Sequence, residues 1–274
     1  MTEFFSSLEY NMDLLTKIFR YITKVDDPRL QNWILFNSPY LITSILVLYI
    51  SFVFVYGPRF MRNRKPYKLK TFIRCYDIFQ ILANYYVVYK LLKGGLKFDD
   101  LSINCEPPSY NTDSANMELT EGCWWMMVTK VIDLVETVIF VLRKRNRQIS
   151  FLHLYHHIST VMLAWFFSRK YIDERTVFLP LMNCGVHVVM YTYYFISTFG
   201  PNIRNVVSRY KFIITIIQMV QFIILMSYIW KMTSANCDIG KIPSIVMFFN
   251  LLINLILFYN FYKKNYSIKN AKRS

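Results

Sequence analysis

Histidine is scarce in this chain, at four residues of 274. Glycine is scarce too, at seven, and acidic side chains number 17 against 32 lysines and arginines. Each shortage excludes something. Four histidines cannot supply the larger histidine sets of membrane di-iron centres, and no H-E-x-x-H motif marks a zinc site, although imidazole with carboxylate could still hold a single zinc. Few glycines and no internal repeat argue against the broken helices and repeated halves of a transporter. A seven-span transporter or receptor-like binding protein therefore stands only as the rival from another functional class. The shortage of acid leaves a formal net charge of +15 on a chain that is 54% hydrophobic and 18% aromatic. No cleavable signal segment and no low-complexity linker are visible.

What the chain has is long apolar runs. A bilayer core of about 30 Å takes roughly 20 apolar residues of helix. Seven such segments are read, at about 36–57, 71–93, 122–142, 149–168, 176–198, 211–230 and 242–262. Two of them, 71–93 and 122–142, carry Arg74, Asp77, Lys90, Lys130, Asp133 and Glu136, and would otherwise read as surface helices. The count of seven is preferred because it alternates the loop charges. Segments 58–70, 143–148, 201–211 and 263–274 hold six, four, three and five basic residues and no acid, and they fall on one side. The 94–121 loop, on the other side, sets Lys97 against six acids. Basic loops stay cytosolic, so the N-terminus is expected outside the cytosol and the C-terminus within it. The expected fold is all-α: seven transmembrane helices in a ring around a polar chamber open toward the cytosol. Residues 1–33 space Phe4, Leu8, Met12, Leu15, Phe19 and Ile22 at helical intervals, which predicts an amphipathic helix on the membrane surface. Residues 34–262 form the membrane domain and 263–274 a basic tail. The sequon Asn265-Tyr266-Ser267 falls on the cytosolic tail and is expected to be unused. Cys105 and Cys237 share the non-cytosolic side, where a disulfide between them and two free thiols are both open. Cys75, Cys123 and Cys184 read as apolar fillers.

Ionisable groups within spans mark function by default. "HLYHH" places His153, His156 and His157 at i, i+3, i+4, on one helix face. Asn183, His187, Tyr191 and Tyr194 form a second stripe on the next span. Lys130, Asp133, Glu136 and Thr137 form a third, and Thr215, Gln218 and Gln221 a fourth. Such faces meet one another or a cavity; the plainer alternative is hydrogen-bonded glue between helices. Beyond metal binding, imidazole serves as nucleophile or general base near neutral pH.

These residues carry a resemblance. "NSP" at 37–39, "MRNRKPYKLK" at 61–70, "KVIDLVET" at 130–137, "FVLRKR" at 140–145, "QISFLHLYHH" at 148–157, "NCGVHVVMYTYY" at 183–194 and "TIIQMVQF" at 215–222 resemble, in order, the boxes of the very-long-chain fatty acid elongase family. Two details depart from that pattern: the acids at Asp133 and Glu136 are exchanged, and Arg145 replaces a lysine. The resemblance implies condensation of an acyl-CoA with malonyl-CoA, loss of CO2 and formation of a 3-ketoacyl-CoA, with no cofactor and no metal. It implies His156 as nucleophile through an acyl-histidine, or as base in a direct ternary reaction. It implies His187 as assistant in decarboxylation, His153 and His157 as orienting groups, and Asn183, Tyr191 and Tyr194 beside them. Lys130, Asp133, Glu136, Arg143, Lys144, Gln148, Gln218 and Gln221 are the implied substrate-binding residues, arginine being suited to phosphate. Cys184 is the minor rival nucleophile. Segments 178–182 and 246–258 are candidate tunnel walls, with Pro180 expected to kink its span. The implied setting is the endoplasmic reticulum membrane, beside membrane lipid and the reductases and dehydratase of the cycle. A homo-oligomer is left open and nucleic acid is not expected.

Overall fold

The computed structural model describes residues 2–25, 27–94, 110–172, 176–234 and 241–267, with side chains of 2–11 and 267 left aside. Cys105, Cys237 and the end of the basic tail lie outside the described residues. Among those residues every regular element is helical: α1 (Thr2–Thr23), α2 (Pro39–Ser51), α3 (Gly57–Met61), α4 (Lys70–Lys93), α5 (Ser114–Leu142), α6 (Phe151–Lys170), α7 (Phe178–Ile196), α8 (Pro201–Ser208), α9 (Lys211–Ser234) and α10 (Lys241–Tyr262). A π-helical turn, Phe52–Tyr56, joins α2 to α3 into one rod. Three helices are long and apolar enough to cross a membrane by length and composition: Pro39–Met61, Lys211–Ser234 and Lys241–Tyr266. Of the five other long helices, α4, α5, α6 and α7 coincide with the remaining apolar segments read from sequence but carry more charge or less hydropathy.

Local sequence sets the helix ends. Ser38 caps α2, its Oγ accepting from the Tyr40 amide, with Pro39 in the first turn, where a missing N–H costs nothing. Asp113 caps α5 in the same way through the Asn116 amide. At the far end of α5 the Arg145 amide donates to the Phe140 carbonyl and the Lys144 amide to the Val141 carbonyl. This is a Schellman closure, here with Lys144 in the left-handed region (φ 53°) instead of glycine. The chain then turns into α6, whose cap Ser150 accepts from the His153 amide. Closure and cap together fix the first turn of α6, and with it the histidines. Pro180 departs from expectation. Because α7 begins at Phe178, Pro180 lies in its first turn and interrupts no helical hydrogen bond, so it does not act as a kink.

The basic segments gather at one end. The Tyr67 amide donates to the Leu142 carbonyl, and Lys144 Nζ reaches the Arg62 carbonyl at 3.4 Å. Arg74 holds Thr198 through its side-chain and backbone oxygens, and Lys211 lies over the Tyr266 ring. At the opposite end Glu118 bridges Lys90 and Lys93 (2.7 and 2.6 Å), and Lys90 also reaches Glu121 at 2.9 Å. These lysines lower the Glu118 carboxyl from its ordinary value, Lys90 foremost through its hydrogen bond. The ion pairs join α4 to α5. Gly57 is a close approach: a Cβ there would lie 2.7 Å from both the Phe52 carbonyl oxygen and Val141 Cγ1. Helix α1 docks by its C-terminus, where buried Arg169 of α6 donates to the Ile22 and Thr23 carbonyls. Its Met12, Leu15, Ile18, Phe19 and Ile22 stay exposed.

Candidate active site

Two layers meet in the middle of the bundle. The first is a polar cluster between α4, α5 and α7. Asp133 is its hub: Oδ2 receives Lys130 Nζ at 3.0 Å, and Oδ1 accepts from Gln80 Nε2 (2.5 Å) and Tyr191 Oη (2.9 Å). Lys130 Nζ also lies 3.3 Å from His187 Nδ1. Lys130, Asp133, Gln80 and His187 are all buried. A charge in such a place must be paired and hydrogen-bonded, and here each is. Tyr76 extends the cluster, accepting from Gln80 Nε2 at 3.0 Å and meeting the Tyr191 ring edge-on. Tyr194 packs edge-on against Tyr191.

The second layer is the histidine face of α6. His153 Nε2 is 2.7 Å from Thr137 Oγ1, which in turn pairs with Tyr49 Oη of α2 at 2.8 Å. His157 Nε2 lies 3.7 Å from Glu136 Oε2. His156 points its Nδ1 at Asn254 Oδ1 of α10, 3.2 Å away. His157 packs against both other imidazoles, with ring centroids 4.2 Å from His153 and 5.7 Å from His156. Glu136, His153 and His157 each offer a ligand atom within 4.8 Å of the others, so they could reach a common metal ion. The Thr137 hydrogen bond already engages His153 Nε2.

A partly open cavity begins at this layer. Its polar end is formed by His156, Lys130, Asn183, Gln221, Asn250 and Asn254. It then runs along apolar Leu163, Phe167, Leu179, Leu225, Ile229 and Met247 and ends beside Ser168, Tyr171, Thr176 and Ser244. The Asn183 Oδ1 atom is buried and makes no hydrogen bond among the described residues. The direction departs from expectation. No cavity residue comes from the basic loops; the hollow extends from the histidines toward the opposite end of the bundle. The reason is packing: the polar stripes nearer the basic end are consumed by the Asp133 cluster and the aromatic rings around it, which fill the space where an open chamber was expected.

The sequence-derived residues thus divide. His156, Lys130, Asn183 and Gln221 form the cavity wall. His187, Asp133 and Tyr191 stand behind Lys130. His153, His157, Glu136 and Tyr194 pack one layer further away. Gln218 turns to the Met190 sulfur instead. Arg143, Lys144 and Gln148 belong to the basic end, outside the cavity. Arg143 is half-buried there, its guanidinium held below its ordinary value first by burial and then by the neighbouring Arg145 and Arg204. Cys184 is fully buried and absent from the cavity wall, which leaves it badly placed as a nucleophile.

Matching sequence boxes, an all-helical bundle and a histidine-ended cavity converge with one further observation: residues 34–274 match the model of the ELO (GNS1/SUR4) family. This chain belongs to the ELO family. Among named relatives, very long chain fatty acid elongase 1 of Mus musculus is 34% identical over 260 residues, covering 93% of this chain and 92% of its own length. Very long chain fatty acid elongase 7 of Rattus norvegicus is 33% identical over 261 residues, with the same coverage. A very long chain fatty acid elongase of Aedes aegypti is 29% identical over 263 residues, covering 96% of this chain and 73% of its own.

Sequence reasoning missed Tyr49, Tyr76, Gln80, Asn250 and Asn254. Signals existed. Asp77, Gln80 and Asn84 run down one face of α4, all buried, and "FNLLIN" spaces Asn250 and Asn254 one turn apart in an otherwise apolar run.

Proposed function

We propose that this ELO-family chain is the condensing enzyme of fatty acid elongation. It extends a long-chain acyl-CoA by two carbons from malonyl-CoA and releases CO2, CoA and a 3-ketoacyl-CoA. The observation that carries this reading is His156, a histidine on the wall where a long apolar cavity turns polar, with Lys130 and Asn183 at the same end. The relatives' names as very long chain fatty acid elongases agree with it. In the first step an imidazole nitrogen of His156 attacks the acyl thioester carbonyl, the C–S bond breaks, and CoA leaves as thiolate and takes up a proton. In the second, malonyl-CoA loses CO2, and the electrons of its C–C bond become the enolate of acetyl-CoA. That carbon attacks the acyl-imidazole, a C–C bond forms, and His156 is released. A covalent intermediate divides one difficult step into two easier ones. Lys130, held beside His187, supplies positive charge toward the carbonyl oxygens on which negative charge develops, and Asn183 orients the thioester. The acyl tail occupies the apolar hollow.

His156 and Lys130 supply the nucleophile and the positive charge the reaction needs, so we assign no cofactor and no metal, and His153 and His157 orient the site. Membranes bearing the protein, given acyl-CoA and labelled malonyl-CoA, form labelled 3-ketoacyl-CoA, and a strong chelator leaves the rate unchanged. Failure to form product with any acyl length overturns the assignment; chelator-sensitive turnover restores a metal at Glu136, His153 and His157.

The seven long helices cross the endoplasmic reticulum membrane, with the basic end cytosolic and α1 lying on the lumenal surface through its exposed apolar face. Charged residues of α4 and α5 do not oppose this, since Lys130 and Asp133 are buried against each other and Lys90 pairs with Glu118 and Glu121 near the helix ends. A glycosylation sequon inserted into the 94–121 segment is expected to be used, while Asn265 stays unmodified. Glycosylation at Asn265 would invert the topology.

At the cytosolic end, outside the cavity, Arg143, Arg145 and Arg204 crowd together and draw acyl-CoA to the protein through its phosphates. Replacing Arg143 with glutamine is expected to raise KM for acyl-CoA about tenfold with little change in kcat, the worth of one charge-assisted contact. The gap narrows as salt rises, because exposed charges are screened. A KM unchanged at low salt would assign the arginines to membrane topology alone. The other enzymes of the cycle are the natural recipients of the product.

A further inference from the structure

Asn254 sits in the middle of α10 with about 1% of its surface exposed. An amide so placed is costly unless both its ends are satisfied. Both are. Its Nδ2 donates to the Asn250 backbone carbonyl at 2.9 Å, and more distantly to Asn250 Oδ1 at 3.4 Å. Its Oδ1 lies 3.2 Å from His156 Nδ1. A backbone carbonyl can only accept. The amide nitrogen must therefore face Asn250, because the opposite orientation would set two acceptors against each other. The oxygen is left to face the histidine, and it too can only accept. The hydrogen between them then belongs to His156 Nδ1, and the lone pair of the neutral ring belongs to Nε2.

Other contacts hold the pair in place. Tyr155 Oη donates to Asn250 Oδ1 at 3.1 Å. The His156 ring meets Phe258 edge-on at 6.0 Å and His157 at 5.7 Å. Tyr155 and His156 are adjacent on α6, and Asn250 and Asn254 are one turn apart on α10, so two side chains from each helix interlock.

We propose that Asn254 is a positioning residue for His156: it fixes the Nδ1–H tautomer, so that Nε2 is the atom that takes the acyl group. This rests on the condensing function given above. It adds a second effect. As Nε2 acylates, positive charge grows on the ring, and the Asn254 oxygen accepts the Nδ1 hydrogen bond that disperses it. An amide does this without the full negative charge that would favour a protonated, unreactive ring in the resting enzyme.

The test uses the full-length chain in detergent with 15N-labelled histidine rings, read by two-bond proton–nitrogen correlation. The His156 signals are assigned by their disappearance in His156→Ala. The expected result is a protonated Nδ1 and an unprotonated Nε2 for His156 in the unaltered protein, whereas Asn254→Asp, which keeps an acceptor oxygen but adds charge, holds Nδ1 protonated and favours a proton on Nε2 as well. Asn254→Leu is expected to lose that pattern, and to lower kcat by about 10–100-fold, the usual cost of removing a group that orients a reacting one, with KM for acyl-CoA within about twofold. Asn250→Ala keeps the backbone carbonyl, and its His156 pattern is expected to be unchanged. A protonated Nε2 in the unaltered protein, or an unchanged pattern or an unchanged kcat in Asn254→Leu, overturns the inference. Should Asn254→Leu fail to fold, the unaltered protein and Asn254→Asp decide alone. Failure of the unaltered chain to condense any acyl-CoA strikes the function instead, and leaves the ring's tautomer readable.

Discussion

Replacing His156 with alanine removes condensation, by at least about 10³-fold in kcat, while the chain still inserts and accumulates. The magnitude follows from the role: loss of a nucleophile takes away the covalent route, and what remains is positioning and charge. The expected preservation of the fold follows from the surroundings. His156 makes one side-chain hydrogen bond, to Asn254, and stands at a cavity wall, so its removal enlarges an existing space. Product formation from labelled malonyl-CoA, normalised to protein inserted, checks it. The same substitution at His153 is expected to cost less activity, because that ring is tied to Thr137 and does not form the cavity wall. Equal turnover in His156→Ala and the unaltered protein would remove His156 from the chemistry.

The second large effect falls on stability. Asp133 receives Lys130, Gln80 and Tyr191 at once in a buried cluster. Asp133→Asn leaves the Lys130 ammonium without its counter-ion, and breaking a buried pair from one side costs about 3–5 kcal/mol. A lower unfolding temperature in detergent and lower accumulation in membranes should report it. Replacing both partners, Lys130→Met with Asp133→Leu, recovers much of the stability, since no unpaired charge stays buried. It does not recover turnover, because Lys130 is the cationic group on the cavity wall. Recovery of both together would show that the pair only holds helices together. Equal stability of Asp133→Asn and the unaltered chain would show that Lys130 finds another partner.

Much of this arrangement was legible along the chain because long apolar helices announce themselves one at a time. Each apolar segment read from sequence coincides with a helix, three of them long and apolar enough to cross a membrane, and a spacing of three and four put the histidines of α6 on one face. Charge counting gathered the basic loops at one end, where Lys144 meets Arg62 and Arg74 meets Thr198. Illegible from periodicity was which polar faces would satisfy each other and which would line a space. Asp133 and Tyr191 lie on different helices, yet their mutual hydrogen bond turns a supposed chamber into packed interior. The hollow opens elsewhere, alongside the leucines and phenylalanines of α6, α7, α9 and α10. Asn254 was hidden for the same reason: in a run of leucine and isoleucine it reads as wall, and only the packing of α10 against α6 sets it against His156. The exchange of acids in α5 has a spatial counterpart. The shorter Asp133 meets Lys130 and the longer Glu136 reaches toward His157.

Rapid-quench mass analysis tests the proposed acyl-histidine directly. The protein is mixed with acyl-CoA in the absence of malonyl-CoA, quenched, and weighed intact and as peptides. One acyl group is expected on the peptide that carries His156, absent in His156→Ala and discharged when malonyl-CoA is added before the quench. A chain that condenses at full rate yet carries no acyl group on that peptide, or carries it elsewhere, would contradict the account.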